Sequence, residues 1–308
     1  MAEVETDPFL EALWQALMAA RAPRVLETAA LRASAVAMIP MLNAGSPAVA
    51  REREIAIEGP AGTLRARVFV PEGPGPHPGL VYYHGGGYVI MSPETHAKLA
   101  KTLCIGAGAV VVSVDYRLAP EHPYPAPVDD GVATWAWTLA HAAELEIDPQ
   151  RLGVGGDSAG GNLAAAVCLR TRDAGAPTPR AALLICPWLD MELASESVRK
   201  LAPNDPILDT DILRFFRDAY VRPEQRREPY ASPLHAALHD FPRTLLVVAL
   251  RDPFRDENLS FAEKLQKAGA EIAVHSHRGM PHAFPLFPGI PQGPAALSDM
   301  CSFLRSAL

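Results

Sequence analysis

Arg151-Leu152-Gly153-Val154-Gly155-Gly156-Asp157-Ser158-Ala159-Gly160-Gly161-Asn162-Leu163 joins a short apolar strand-like run to a small-residue helix-like run through a Gly-x-Ser-x-Gly pentapeptide. Between the two the chain must reverse sharply, which strains the backbone at Ser158 and exposes its hydroxyl at the tip of the turn. Glycines two residues to either side fit that geometry, because a larger side chain would collide across the turn. The serine then stands at a helix N-terminus, where unpaired N–H groups and the positive dipole end favour a developing oxyanion. The reading is a serine nucleophile. A phosphate-cradling loop is the rival, but the stretch lacks the third glycine of a dinucleotide fingerprint and no Gly-Lys-Ser/Thr follows.

Bulk properties narrow the class. The 308 residues, 49% hydrophobic and 20% charged, suit an ordinary globular protein with ample core. That length fits about two domains, or one large α/β unit with an added lobe. A net charge of −7 argues against nucleic acid or an anionic membrane as the main partner. Arg222, Arg226 and Arg227 form the densest basic cluster, yet Glu224 and Glu228 are interleaved, as on a solvated face. Cys104, Cys168, Cys186 and Cys301 are far apart with no Cys-x-x-Cys spacing, so neither a zinc site nor a redox motif is expected. Buried free thiols in a reducing compartment fit better. The acidic start, Met1 to Asp7, has no signal pattern and no run of 18 apolar residues occurs, so a cytoplasmic protein without a membrane span is expected.

The chain opens with helical patterning over about residues 7 to 45. Leu10, Leu13, Trp14 and Leu17 recur at helical spacing behind an Asp7-Pro8 start, and a second stretch carries Val25 to Ile39. This is a helix pair packed on the main body, or a lid over a pocket, or both. From Glu54 the period changes to two on either side of Gly59-Pro60-Ala61-Gly62, an antiparallel hairpin. Continuous apolar runs then alternate with helix-like segments: 80–83, 109–114, 152–154, 181–186, 245–249 and 272–275. Runs without alternation fit strands buried on both faces, so the expected fold class is α/β, a mostly parallel doubly wound sheet with an antiparallel N-terminal hairpin.

Such sheets bind ligands beyond the C-terminal ends of their strands, so partners for Ser158 are sought just after each run. A serine hydroxyl needs a base, and histidine suits near-neutral pH. Of the ten histidines, His275 and His277 sit in a strand without a third metal ligand; His77, His122, His141, His235 and His239 read as surface residues; His96 falls in a probable helix. His84 lies inside a glycine run whose shape it would hold. His282 follows the last strand in a Gly/Pro loop and is the candidate base. Asp252, the first carboxylate past the 245–249 run, is the candidate to orient it, with a strand-exit turn as its plainer role; Glu257 is expected to cap a helix over 258–268. Gly85-Gly86-Gly87 and the N–H of Ala159 can point backbone donors at a tetrahedral oxyanion. Tyr88, Trp188 and Met191, at the same rim, are candidates for the pocket wall, with a core role open.

Jointly, His84-Gly85-Gly86-Gly87, Asp115-Tyr116-Arg117-Leu118-Ala119-Pro120-Glu121-His122-Pro123, Gly156-Asp157-Ser158-Ala159-Gly160-Gly161, Asp252-Pro253-Phe254-Arg255-Asp256-Glu257 and His282-Ala283-Phe284 resemble the hormone-sensitive-lipase-like carboxylesterases of the α/β-hydrolase fold. The resemblance covers roughly residues 65 to 285 in family order. It implies Ser158, Asp252 and His282 as a catalytic triad, and Gly86, Gly87 and Ala159 as oxyanion donors. It also implies a cap from residues 1–45 with part of 190–225, over a catalytic domain 46–308. Ala283 replaces the usual glycine and Phe254 a common leucine; neither removes a reacting group. The expectation is a cofactor-free and metal-free esterase for small-molecule esters of short to medium acyl chains. An amidase, deacetylase or lactone hydrolase with the same triad is the alternative. A ligand-binding relative that has lost its histidine is disfavoured by His282. Whether the chain pairs as a homodimer is left open.

Overall fold

The computed structural model describes residues 8–19 and 25–308. Asp7, expected to open the first helix, and the side chains of Leu10, Leu13 and Leu17 lie outside what is described. Three helices come first: α1 (Pro8–Ala19), α2 (Thr28–Ala37) and α3 (Ile39–Leu42). The Arg251 guanidinium covers the buried Trp14 ring at 3.8 Å and donates to Glu11 at 2.9 Å, fastening α1 to the body.

The hairpin follows as β1 (Arg51–Gly59) and β2 (Gly62–Val70), in register from Arg51 opposite Val70 to Gly59 opposite Gly62. Strands and helices then alternate: β3 (His77–Tyr83), α4 (Ala97–Ala107), β4 (Val110–Asp115), α5 (Ala126–Ala140), β5 (Ile147–Asp157), α6 (Ala159–Asp173) and β6 (Ala181–Ile185). After α7 (Glu196–Leu201) and α8 (Thr210–Tyr220) come β7 (Arg243–Ala249), α9 (Arg255–Lys267), β8 (Ile272–His277) and α10 (Gly293–Ala307). The eight strands form one sheet ordered β1-β2-β4-β3-β5-β6-β7-β8, antiparallel at β1/β2 and β2/β4 and parallel elsewhere.

The apolar runs do not alternate with polar residues because both faces are covered. Val81, Tyr83, Val112, Val154, Leu184 and Leu246 pack on one side with α5, α6 and α9. Leu80, Tyr82, Val111, Leu183, Leu245 and Val247 pack on the other with α4 and α10. Successive residues of a strand point to opposite faces, so neighbours in sequence feed two separate cores.

Two expectations need correction. His77 is buried at the start of β3, where its N–H donates to Glu146 O (2.7 Å), instead of lying on the surface. Glu257 does not cap a helix beginning at 258. α9 begins at Arg255, because Asp252 Oδ1 accepts the N–H of Phe254 (2.9 Å) and turns the chain early; Glu257 is buried and accepts the N–H of Leu189 (2.5 Å).

Steric room at two glycines separates tight packing from open turn. A methyl on Gly160 would overlap the backbone oxygens of Tyr83 and His84, whereas one on Gly175 meets nothing but strains a backbone at φ +62°. Gly160→Ala should therefore cost about 3 kcal/mol or more, and Gly175→Ala about 1–2 kcal/mol. Urea unfolding midpoints of the two variants check this; equal losses would contradict the packing described.

Candidate active site

β5 runs straight into α6 with one residue, Ser158, to make the reversal. Its φ of 53° and ψ of −121° are a conformation L-residues avoid, held because neighbours on both sides are fixed. A side chain on Gly156 would strike Gly160 O and Tyr83 O, so the pentapeptide's two glycines let β5, α6 and the end of β3 touch. The Ser158 N–H donates to Ile185 O (2.9 Å), and Ser158 O accepts from Asn162 N and Trp188 N (both 3.0 Å). The strained residue is pinned by the end of β6, by the loop after it and by the first turn of α6.

His282 and Asp252 come from the loops after β8 and β7, which are adjacent and parallel. His282 Nδ1 lies 2.7 Å from Asp252 Oδ2, both residues buried. A carboxylate accepts, so Nδ1 carries the proton and the neutral ring leaves its lone pair on Nε2. Nε2 is buried and has no hydrogen-bond partner among the described residues. Burial disfavours the imidazolium, but the charge and hydrogen bond of Asp252 outweigh it, and the pKa is raised above 6.5. Phe254 meets the imidazole edge-on (5.2 Å between centroids) and stacks on Trp188 (5.5 Å), so the departure from leucine adds a wall against which the His282 ring rests.

Gly86 and Gly87 lie at φ +111° and +62° in the loop after β3. Side chains there would overlap Ile90 O and the Phe216 ring respectively. Ala159 is the first residue of α6, where a backbone N–H has no partner within the helix. His84 holds the loop from beneath: Nδ1 donates to Gly85 O (2.7 Å) and its ring stacks on Tyr116 (4.4 Å). Burial, reinforced by the charge of His96, pushes its pKa down to about 3, so it is neutral and unfit as a base near pH 7.

Two buried residues join this frame without having been singled out from the sequence. Asp157 Oδ1 accepts from Tyr82 Oη (2.7 Å) and from Gly85 N (3.1 Å), and His96 Nε2 lies 3.2 Å from the same oxygen. Burial alone would raise the Asp157 pKa; the charge and hydrogen bond of His96, with Tyr82, hold it below the ordinary carboxylate value. Its place in the pentapeptide, beside Ser158, was the available signal. His96 stands just ahead of α4 and gave none.

Gly86, Gly87, Asp157, Ser158, Trp188 and His282 open into one cavity of about 550 Å³. The rest of its wall is largely apolar: α2 (Leu31, Ala35) and the segment around α8 (Leu208, Ile212, Phe216) contribute, together with Ile90, Phe254 and Phe287 from the loops after β3, β7 and β8. Met38, between α2 and α3, also lines it. Tyr88 and Met191 do not. Tyr88 is buried against Tyr220 (3.7 Å between rings) with its hydroxyl on Asn162 Oδ1 (2.8 Å), and Met191 packs in the core with its N–H on Ser232 Oγ (2.8 Å). Both stand one layer behind the wall. Of the other histidines, His235 meets Asp190 (3.1 Å) and His275 meets Asp299 (3.2 Å), away from the cavity wall. Among the described residues, no group of three or more His, Cys, Asp or Glu is placed to hold a metal ion, and no helix is long and apolar enough to cross a membrane.

Comparison with known proteins agrees with this geometry. A family profile described as the alpha/beta hydrolase fold matches residues 80–286. Esterase LipI of Mycobacterium tuberculosis is 37% identical over 77% of this chain and 76% of its own. Carboxylic ester hydrolase LipN of the same organism is 38% identical over 83% and 70%. Among solved structures, the hyperthermophilic esterase of the archaeon Pyrobaculum calidifontis superposes with a TM-score of 0.90 at 35% identity, over 98% of this chain and 99% of that one. A thermostable esterase from Pseudomonas putida ECU1011 gives 0.91 at 30% identity, over 100% and 99%. A serine on a strained strand-to-helix turn, a buried carboxylate–histidine pair across one cavity, and relatives named as esterases over most of the chain lead to one conclusion: this protein belongs to the α/β-hydrolase family, as a carboxylic ester hydrolase of the hormone-sensitive-lipase-like group.

Proposed function

We propose that Ser158 is the nucleophile, His282 the general base and acid, and Asp252 the group that orients it, acting on esters of short to medium acyl chains. The observation that carries this reading is the buried 2.7 Å His282–Asp252 bond, which leaves Nε2 unpartnered in a residue that lines the same cavity as Ser158. As Ser158 Oγ attacks the ester carbonyl carbon, its proton passes to Nε2, and the carbonyl oxygen gains the negative charge. The N–H groups of Gly86, Gly87 and Ala159 receive that charge in a site already shaped for it. The imidazolium then gives its proton to the departing alkoxide, leaving an acyl-serine. Water repeats the sequence: Nε2 takes its proton, its oxygen attacks, and collapse returns the proton to Ser158 as the acid leaves.

The apolar wall from α2 and the α8 segment suits an acyl chain, and about 550 Å³ falls within the usual range of small-ligand pockets. We assign residues 1–45, of which 8–19 and 25–45 are described, with part of 190–225, to a cap over a catalytic domain 46–308. The four cysteines are buried and unpaired, as a reducing compartment such as the cytoplasm would leave them.

Ser158→Ala should lower kcat by about 10⁶. An acyl-chain series of chromogenic esters should peak at short to medium lengths, and best activity on long-chain emulsions would refute the substrate class. Because Asp252 raises the pKa of His282, the base loses its proton only above pH 6.5; kcat/KM should rise with pH with a midpoint above 6.5. A profile flat from about pH 5 to 8 would remove His282 from the role.

A further inference from the structure

The oxyanion loop is held from outside the catalytic body. Arg32, on α2, spends its guanidinium on three targets. Nε donates to Val89 O (2.9 Å), Nη2 to Ala119 O (2.9 Å), and Nη1 and Nη2 together to the Glu121 carboxylate (2.8 and 2.7 Å). Val89 is two residues past Gly87. Its N–H, with that of Ile90, closes onto Gly86 O (both 3.0 Å), so residues 86–90 form one tight turn. The neighbouring Tyr88 O accepts the N–H of Ala119 (2.8 Å). Arg32 therefore completes a ring: the turn is tied to residue 119 directly, and both are tied again through one planar fork. Leu31, next to Arg32, lines the cavity, so the clamp and the pocket wall share one turn of helix.

We infer that Arg32 is a positioning residue that fixes the direction of the Gly86 and Gly87 N–H groups by holding Val89 O and Ala119 O, so that this N-terminal helix helps assemble the oxyanion hole. This rests on the triad reading above. The glycines that must aim those N–H groups are the residues with the least intrinsic preference for any direction, so the aim has to come from their neighbours. Phe216 against Gly87 and Tyr220 against Tyr88 press on the loop from α8. On the α2 side the guanidinium supplies the polar anchor. Lysine cannot replace it, since one ammonium cannot span three acceptors in a plane. The Glu121 pair is half in solvent and contributes little by itself, so the anchoring falls to the bonds to Val89 O and Ala119 O.

The test compares the native enzyme with Arg32→Ala, Arg32→Lys and Glu121→Gln on one short-chain ester and one trifluoromethyl ketone, which adds serine to give an oxyanion. Arg32→Ala should lose roughly tenfold to a hundredfold in kcat with little change in KM. Its affinity for the ketone should fall by the same factor, and methylguanidinium, well below denaturing concentration, should restore part of both. Arg32→Lys should fall between the two, and Glu121→Gln should keep kcat close to native. If Arg32→Ala lowers only the melting temperature, or raises KM alone, Arg32 is structural and the inference fails. A Glu121→Gln loss as large as that of Arg32→Ala also overturns it, by moving the effect from the carbonyls to the ion pair. A native enzyme that neither hydrolyses the ester nor binds the ketone would instead refute the triad reading.

Discussion

The structure depends on a close approach that only missing side chains allow. β5 enters Ser158 and α6 leaves it with the ends of β3 pressed against both, because Gly156 and Gly160 offer no atom to collide with the backbone oxygens facing them. The positive φ of Ser158 is the strain that remains, and hydrogen bonds from the β6 end and from the Trp188 loop hold it. A residue fixed in this way would need little reorganisation to act as the proposed nucleophile. Its surroundings are built around it, and not the reverse.

Those surroundings are joined by one buried carboxylate. Asp157 sits between the serine turn and the loop after β3, accepting from Tyr82 on the sheet, from Gly85 in that loop, and facing His96 ahead of α4. An unpaired charge there would be ruinous; fully partnered, it ties three segments together in a region of low dielectric where each bond counts for more. The cavity shows the complementary principle. Its floor is polar and fixed by the sheet edge, while much of its apolar wall comes from helices outside the alternating strand–helix order.

Much of this was legible in the residues, for reasons that can be named. Strands such as 80–83 and 245–249 announced themselves because both faces are buried and no polar residue interrupts them. The hairpin was legible because one of its faces is wet. What escaped was set by contacts between distant segments. By sequence pattern this strand begins at Arg151, but β5 reaches back to Ile147, where pairing with His77 on β3 extends it. Tyr88 looked like a pocket residue because it follows three glycines, but a ring from α8, 132 positions later, covers it. Glu257 looked like a cap because acids favour first turns; its burial against the Leu189 loop depends on how α9 meets the β6 exit, which no local pattern encodes.

Asp252 uses its two oxygens for two separate purposes. Oδ1 accepts from Phe254 N and sets the bend that starts α9; Oδ2 accepts from His282 Nδ1. Both partners are donors, so the position requires a group with two acceptors and no hydrogen. A carboxamide of the same shape has one of each. If its oxygen served the bend, its NH₂ would confront the ring and drive the imidazole proton to the far nitrogen, abolishing basicity where it is required. If it rotated to serve the ring, the bend would face an amide hydrogen with a backbone hydrogen. Local architecture and proton inventory are locked to the same side chain, and neither can be altered alone.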